Sequence, residues 1–392
     1  MSQLNCKELD RAYIMGTYGR NDVVIDHGKN ATLWSDDGKK YIDFASGIGV
    51  LAVGTADDGY IQAITQQLSK VQHMSNYFYS EPTSKLAEKI VKSTGLKKVF
   101  FANSGAEANE GAIKLARKYS FDKYGSGRST IITFNKSFHG RTITTLAATG
   151  QDVFHNYFFP FTEGFKYCEY NNSEAFFNCL TDDVCAVMLE VVQGEGGVNI
   201  LDEEFAKLIN AECQKRDILV IVDEVQTGIG RTGKMFGFMN YDLTPDILTL
   251  AKGLAGGMPI GAFVSGEKCE NVLGRGSHGS TFGGNPVSAA AGNYIFEKVN
   301  SDEFLSDVIG KGQRIIKEIS DLNSSVVKNV RGKGLMVGIE VTEDPHVFAN
   351  KALEQGLITL TAGTNVIRLL PPLTISSEEL SEGINILKKV LA

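Results

Sequence analysis

The sequence of 392 residues lacks the cysteine spacing, the long apolar runs and the basic clusters that mark several classes of protein. Its six cysteines are scattered and none forms a C-x-x-C pair, which argues against a disulfide framework and favours a reducing compartment. No apolar run approaches the roughly 18 residues that a membrane helix needs, and no signal-peptide core is found. The missing basic block excludes the usual nucleic-acid surface. We therefore expect a cytoplasmic protein that binds neither membranes nor nucleic acid.

Glycine, in contrast, is abundant and unevenly placed. The 42 glycines cluster beside polar residues and follow no repeat, so they predict tight turns around a site. A hydrophobic content of 43% is normal for a globular protein, and the length favours at least two domains.

The order of strand-like and helical stretches predicts the fold. Between about residues 55 and 285 the two types alternate, which favours an α/β fold whose mainly parallel central sheet carries helices on both faces. A strand hairpin is predicted before this region, and helices with strand-like runs at 334–341 and 365–369 follow it. We predict a large domain, 55–285, beside a small C-terminal α+β domain, 286–392, that packs with an N-terminal segment, 1–54.

Two neighbouring apolar runs of the large domain end in charged residues. Residues 218–222 are followed by Asp223, and residues 247–251 are followed by Lys252. Ligands of parallel sheets bind beyond the carboxyl ends of the strands, so both side chains are candidates for one site. An amine and a carboxylate there suit pyridoxal phosphate, which needs a lysine for covalent attachment and an acid for its pyridine nitrogen. Each residue alone is equally explained as a strand-end charge that reaches solvent.

A further motif, residues 103–108, lies between a strand-like run and a helix. The small residues Ser104, Gly105 and Ala106 allow backbone N–H groups to approach an anion, and a helix N-terminus adds a favourable partial charge. The same stretch is also a serine N-cap with Glu107 three positions later. The two interpretations are compatible, because a capped helix still presents free N–H groups.

Aromatic and polar residues follow two of the predicted strands. Phe138 offers a ring that can stack on a pyridine face, and Arg141 offers a guanidinium that can bind a carboxylate. Taken in isolation, these two residues are better explained as a packed phenylalanine and a surface arginine. Val225 and Gln226 come just after Asp223, where one can press the opposite ring face and the other can donate to a phenolic oxygen.

Other polar residues occur at places where spacing assigns no role. Glu195 lies in a glycine-rich loop, Arg368 in a late strand-like run, and Ser280 and Thr281 in a second glycine-rich loop. A G-x-G-x-x-G match that begins a few residues after Gln226 has no strand directly before it and no helix after it, so we reject a dinucleotide fingerprint. His139 has no second histidine or cysteine at metal spacing, so we expect it to be a structural hydrogen-bonding residue, and no metal site is expected.

Taken together, these motifs and their order resemble the class III pyridoxal-phosphate-dependent aminotransferases. The resemblance runs essentially end to end, through residues 41–48, 103–110, 138–142, 193–197, 223–233, 251–253, 280–286 and 366–372. It implies the aspartate-aminotransferase-like fold of type I, pyridoxal phosphate as the cofactor, and a homodimer whose subunits complete each other's sites.

The resemblance also implies roles for the residues of the site. Lys252 is expected to attach the cofactor, and Asp223 to pair with its pyridine nitrogen. Phosphate contacts, a ring sandwich and a phenolic-oxygen donor are implied for Ser104, Gly105, Ala106, Phe138, Val225 and Gln226, with Thr281 and Ser280 reaching across from the partner subunit. For the substrates, Arg141 would bind the remote carboxylate of the amine and Arg368 the α-carboxylate of glutamate, with Glu195 neutralising Arg368 when that carboxylate is absent.

The substrates implied are N-acetylornithine, which gives up its terminal amine to become N-acetylglutamate semialdehyde, and 2-oxoglutarate, which becomes glutamate. This is a step of arginine biosynthesis. Ornithine, succinylornithine, N-succinyl-diaminopimelate and 4-aminobutyrate remain alternative amines, since a distal carboxylate is not unique to one of them. An intramolecular aminomutase is a further alternative, but it leaves the pairing of Glu195 with Arg368 unexplained.

Overall fold

The computed structural model describes residues 5–392 of the chain. Its strands, in chain order, are β1 Ile25–Lys29, β2 Thr32–Ser35, β3 Lys40–Asp43, β4 Lys98–Ala102, β5 Thr130–Phe134, β6 Phe165–Cys168, β7 Val184–Leu189, β8 Val192–Gln193, β9 Asn199–Ile200, β10 Leu219–Asp223, β11 Ile247–Leu250, β12 Gly261–Ser265, β13 Val327–Lys333, β14 Met336–Val341, β15 Leu357–Ile358, β16 Leu360–Ala362 and β17 Val366–Leu369.

The helices lie between these strands and after them. They are α1 Cys6–Tyr13, α2 Ser46–Gly49, α3 Asp58–Leu68, α4 Glu81–Thr94, α5 Gly105–Tyr124, α6 Ile143–Ala148, α7 Ser173–Cys179, α8 Glu203–Arg216, α9 Pro286–Val299, α10 Asp302–Ser320, α11 Pro345–Glu354 and α12 Ser377–Leu391. Short 3-10 helices span Asp152–Phe154, Gly237–Asn240 and Lys252–Leu254. None of the helices in residues 5–392 is both long enough and apolar enough to cross a membrane.

The central sheet has seven strands in the order β4-β12-β11-β10-β7-β5-β6. Strands β11, β10, β7, β5 and β6 are parallel neighbours, whereas β12 is antiparallel to both β11 and β4. The predicted α/β fold with a mainly parallel sheet is therefore confirmed, and β12 is an antiparallel strand that the pattern analysis did not include. Its sequence, Gly-Ala-Phe-Val-Ser, is too short and too close to glycine and proline to stand out as a strand.

Helices cover both faces of this sheet. Along β10 the side chains alternate, so that Leu219 and Ile221 pack into one apolar cluster with α5, and Val220 and Val222 pack into another with α8. Every residue of β10 is buried. Such double-sided burial explains why these strands read as continuous apolar runs rather than as alternating ones.

Besides the short two-stranded sheet of β8 and β9, two four-stranded sheets form the rest of the fold. One has the order β13-β14-β17-β16, and the other has the order β1-β2-β3-β15. The predicted hairpin is β2 with β3, and β3 pairs in parallel with β15, which joins the start of the chain to its last third. The strands β1, β13, β15 and β16 were not predicted. The domain boundaries at residues 54 and 285 remain a prediction.

Candidate active site

The carboxyl ends of β10 and β11 bring an acid and an amine to one cavity. The two strands are parallel neighbours in which Asp223 pairs with Thr249, three residues before Lys252. Asp223 and Lys252 both line a cavity of about 410 Å³ at this edge of the sheet. The alternative interpretation, in which each strand-end charge reaches solvent separately, is therefore wrong.

The N-terminus of α5 forms one wall of the same cavity. Ser104 is the N-cap, and its hydroxyl accepts a hydrogen bond of 3.2 Å from the Glu107 N–H. The first N–H groups of a helix have no acceptor within the helix, and here Gly105 and Ala106 line the cavity. A Cβ atom at Gly105 would lie 2.8 Å from Val225 Cγ1, so only glycine fits between the helix and that side chain. The wall is thus a cup of donors with a favourable partial charge for an anion.

Asp223 is held by three hydrogen bonds at the bottom of the cavity. Its Oδ2 atom accepts from Asn109 Nδ2 and lies 2.8 Å from His139 Nδ1, and its Oδ1 atom accepts from the Val225 N–H at 3.0 Å. Asn109 Nδ2 also donates to the backbone carbonyl of His139. Asp223, Asn109 and His139 are all buried. These contacts fix the carboxylate in one orientation toward the cavity.

Lys252 combines an unusual backbone conformation with a free amine. Its φ angle is +44°, in the left-handed region that residues other than glycine rarely adopt. Burial lowers the pKa of its amine below the ordinary value, although Glu195 acts in the opposite direction. Among residues 5–392 its amine has neither an ion-pair partner nor a hydrogen-bond acceptor in contact. A lysine of this kind is unprotonated more often than an exposed one, so its amine is more available to act as a nucleophile or to accept a proton.

Phe138 and Val225 both line the cavity, as the sandwich hypothesis requires. The Phe138 N–H donates a 2.9 Å hydrogen bond to Oε1 of Glu190, a buried carboxylate that also lines the cavity. Burial raises the pKa of Glu190 to about 7. The sequence assigned Glu190 no role, and its placement beneath the Phe138 backbone shows that it anchors the loop that carries the ring.

Glu195, Gln226 and Arg368 form a closed polar cluster. Arg368 donates to both carboxylate oxygens of Glu195, at 2.6 and 3.0 Å, and to Gln226 Oε1 at 3.1 Å. Gln226 Nε2 donates to Glu195 Oε1 at 3.3 Å. Burial alone would raise the pKa of Glu195, but the Arg368 guanidinium, together with Lys252 and Gln226, holds that pKa below its usual range. The amide of Gln226 is therefore shared between the cavity and this ion pair.

Arg141 lies at the mouth of the site. It lines both the cavity of Lys252 and an adjoining larger one of about 1510 Å³, and both cavities also share Phe138, Glu195 and Lys252. The guanidinium lies over the rings of Phe138 and Phe154. An arginine placed in this way is available to a carboxylate that enters through the larger cavity.

The structure does not bring Ser280 and Thr281 into either cavity of their own chain. Ser280 Oγ instead accepts a 3.2 Å hydrogen bond from Asn103 Nδ2, just before the α5 cup, and Thr281 is exposed. Of the other residues proposed for the site, Ser104, Gly105, Ala106, Phe138, Arg141, Glu195, Asp223, Val225, Gln226 and Lys252 line the first cavity, and Arg368 joins them through Glu195 and Gln226.

Sequence reasoning missed three residues of the site: Asn109, Glu190 and Phe154. A signal was present for Asn109, because it is a polar residue on the apolar face of α5 beside Ala108 and Ala112. Glu190 ends a fully buried strand run, which is a comparable signal. Phe154 ends a short 3-10 helix, and nothing in its sequence neighbourhood distinguishes it.

The cavity fits the cofactor that the resemblance implies. Pyridoxal phosphate requires an anion cup, an acid for its ring nitrogen, apolar faces for its ring and a lysine amine. In this structure these are supplied by the N-terminus of α5, Asp223, the pair Phe138 and Val225, and Lys252, all of which line one cavity. The residues present therefore match the group in chemical type at each of its recognised parts.

The chain is similar over nearly its whole length to known proteins of one family. The profile of the aminotransferase class-III family matches residues 15–391. Acetylornithine aminotransferase of Haemophilus ducreyi is 52% identical over the whole of both chains. Among solved structures, ornithine aminotransferase of Toxoplasma gondii superposes with a TM-score of 0.94 at 31% identity, covering 97% of this chain and 93% of its own. N-acetylornithine aminotransferase of Stenotrophomonas maltophilia has a TM-score of 0.85 at 36% identity, with 97% of each chain covered.

Proposed function

The chain belongs to the class-III aminotransferases, which are pyridoxal-phosphate-dependent transaminases, and we propose that its amine donor is N-acetylornithine and its acceptor 2-oxoglutarate. Support for this pair comes from full-length relatives at 42 to 52% identity that carry the name acetylornithine aminotransferase. The reaction would serve arginine biosynthesis. We place it in the cytoplasm, because all six cysteines are free in the structure.

We assign the chemical steps to Lys252 and Asp223. Bound pyridoxal phosphate holds the substrate amine covalently and withdraws electrons from the neighbouring carbon. Lys252 would hold the cofactor through its Nζ atom, and the same amine is placed to move a proton at the substrate carbon. Its lowered pKa leaves more of the amine unprotonated and able to accept the proton. Asp223, fixed by its three hydrogen bonds, holds a proton on the pyridine nitrogen.

One observation carries the proposal of two substrates whose carboxylates lie at different distances from the reacting amine: the two arginines of the site are in different states. Arg368 is buried and paired with Glu195, whereas Arg141 has no carboxylate within ion-pair distance among residues 5–392. An amine substrate that carries its carboxylate far from the reacting amine needs only Arg141. Glutamate has an α-carboxylate next to the reacting amine in addition to its distal one, so it also needs Arg368 and must displace Glu195. Two substrates with carboxylates at different distances therefore fit one site.

Ornithine remains the principal alternative, since a structure of an ornithine aminotransferase superposes closely. The relatives of higher sequence identity favour the acetylated amine. The aminomutase alternative is disfavoured, because it has no second substrate to open the pair of Glu195 with Arg368.

Half-reactions with single amines test the proposal. The holoenzyme is mixed separately with N-acetylornithine, ornithine, 4-aminobutyrate or glutamate, and the loss of the visible absorbance of the bound cofactor is followed. We expect fast loss with N-acetylornithine and glutamate and much slower loss with ornithine. Faster loss with ornithine or 4-aminobutyrate would reject the assigned substrate while keeping the chemistry.

We also propose a homodimer in which Thr281 and Ser280 reach the partner's phosphate cup. Tyr77 and Tyr79 are 95 and 100% exposed, an unusual state for two tyrosines in one loop. Asn76 ties this loop to the one that carries Ser280, because its Nδ2 atom donates to the Ser280 carbonyl at 3.0 Å. An aromatic patch next to two hydroxyl residues without a cavity of their own suits a surface that is buried by a second copy.

Sedimentation measurements test the dimer. Tyr79→Glu should convert dimer to monomer and weaken cofactor retention together, because the site would lose its contributions from the partner. Phe177→Glu, at a half-exposed ring on α7, is the control for adding a charge to a surface ring. A Tyr79→Glu protein that stays dimeric with full cofactor content would contradict this arrangement.

A further inference from the structure

The side chain of Arg141 is held by aromatic rings rather than by polar partners. Within residues 5–392 its contacts of this kind are with two rings: the guanidinium carbon lies 3.9 Å from the ring centroid of Phe154 and 5.5 Å from that of Phe138. The side chain is otherwise exposed to the cavity. A guanidinium that stacks on a ring face keeps its N–H groups free at its edges, where a carboxylate binds.

Phe154 is itself fixed relative to Phe138. The two rings meet edge to face, with centroids 6.0 Å apart and an interplanar angle of 76°. The segment that leads into Phe154 is bonded to the loop before Phe138: the Gly150 N–H donates to Ser137 Oγ at 3.0 Å, and Gln151 Nε2 donates to the Ser137 carbonyl at 2.9 Å. Phe154 therefore forms a support that is tied to the same loop as Phe138 and Arg141.

We infer that Phe154 is a positioning residue that holds the Arg141 guanidinium ready for the remote carboxylate of the amine substrate. The inference rests on the proposed function, in which Arg141 binds that carboxylate. A long arginine side chain without polar partners would otherwise sample many rotamers and would have to be ordered when substrate binds. Stacking on Phe154 orders it beforehand, so the carboxylate meets a preset pair of donors. Phe154 thus contributes to substrate selectivity without touching the substrate.

A matched pair of amines isolates this effect. N-acetylputrescine is N-acetylornithine without the carboxylate, so the ratio of kcat/KM for the two amines measures what the carboxylate contributes. In Phe154→Leu the apolar volume largely remains but the ring face is lost. We expect the ratio to fall roughly 3- to 30-fold, the range that follows from the strength of a cation–ring contact. Phe154→Tyr, which keeps the ring, should retain the wild-type ratio.

Two further variants separate the inference from general damage to the cavity. Phe158→Leu removes a ring that lines the same large cavity but is not among the rings that the Arg141 guanidinium lies over in residues 5–392, and its ratio should stay at the wild-type value. Pentafluorophenylalanine at position 154 keeps the ring shape but reverses its charge distribution, so the ratio should fall even where Phe154→Leu folds poorly. An equal fall in Phe158→Leu, or an unchanged ratio with the fluorinated ring, would overturn the inference.

Arg141→Met distinguishes the positioning role of Phe154 from the proposed binding of the substrate carboxylate by Arg141. If this variant keeps the wild-type ratio, Arg141 does not bind the carboxylate, and the proposed function loses its substrate assignment along with the inference. If the ratio collapses in Arg141→Met but Phe154→Leu matches the wild type, only the positioning role of Phe154 is wrong. A collapse in the first variant with a partial fall in the second supports both.

Discussion

Replacing Glu195 with glutamine tests how the enzyme serves two substrates with one site. The change keeps the size of the side chain and removes its charge, so Arg368 loses the ion pair that now occupies it. Glutamate and 2-oxoglutarate would then bind Arg368 without first displacing a carboxylate. N-acetylornithine, which carries no carboxylate next to its reacting amine, would gain nothing from the change.

The contacts set the expected size of the effect. A hydrogen bond to a charged group contributes about 1.5–3 kcal/mol, and Glu195 makes two to Arg368, at 2.6 and 3.0 Å. The Arg368 side chain is 3% exposed but that of Glu195 is 27% exposed, so solvent weakens the pair. We therefore take the lower part of that range, about 2 kcal/mol, which corresponds to roughly a 30-fold change in an equilibrium constant.

The assay compares two half-reactions of the same protein. Glutamate and N-acetylornithine are titrated separately against the visible absorbance of the bound cofactor, and the ratio of their apparent affinities is compared between Glu195→Gln and wild type. The ratio removes a shared effect, because Glu195 also raises the pKa of Lys252 and its loss alters both half-reactions. Glu340→Gln breaks another arginine pair that lines the large cavity, Glu340 with Arg331 at 2.6 Å, and serves as the control.

We expect the ratio to shift toward glutamate by roughly 10- to 30-fold in Glu195→Gln and to remain unchanged in Glu340→Gln. Equal changes for both amines would show that Glu195 acts only through Lys252. Weaker binding of glutamate would show that the carboxylate of Glu195 helps to shape the glutamate site rather than to block it. Either result would refute the displacement argument.

Two further predictions concern single residues. Lys252→Ala should abolish turnover and the covalent attachment of the cofactor. In the wild type, borohydride reduction followed by peptide mass spectrometry should find the cofactor on Lys252. An adduct on Lys136, which lines the larger cavity, would contradict the assignment. Burial raises the pKa of Glu224 from 4.5 to about 7. As pH rises, the unfolded chain therefore loses this proton at a lower pH than the folded chain does. The free energy of unfolding should fall by about 3 kcal/mol as pH rises through this interval. The free energy of unfolding of Glu224→Gln, measured with denaturant at several pH values, should lack this part of the decrease with pH.

The parts of the site that follow a strand within a few residues were predictable from the sequence. Asp223 and Lys252 follow buried apolar runs, and Ser104 lies between a strand and a helix. In each case the local pattern fixes where the strand ends, and in a parallel sheet the strand ends share one edge. A prediction of strand type and direction was therefore enough to place them together.

Contacts between distant elements were not predictable in this way. Glu195 and Arg368 are 173 residues apart in sequence, and Asn109 is 114 residues from Asp223. Their meeting depends on the packing of the small sheet and of α5 against the central sheet, which no local pattern records. The family resemblance implied the first of these pairs, but the second, which orients the acid of the site, emerged only from the fold.

Backbone strain is the other feature that the sequence conceals. Glycine is the usual signal of a positive φ angle, yet Ile48, Lys136 and Lys252 adopt φ angles of 65°, 68° and 44° without being glycine. All three line the cavities of the site. Such a conformation costs of order 1–3 kcal/mol for each residue, and for the β-branched Ile48 it is especially unfavourable. Glycine would relieve that strain at all three positions, so the retained side chains indicate places where the surface of the cavity, rather than stability, determines the residue.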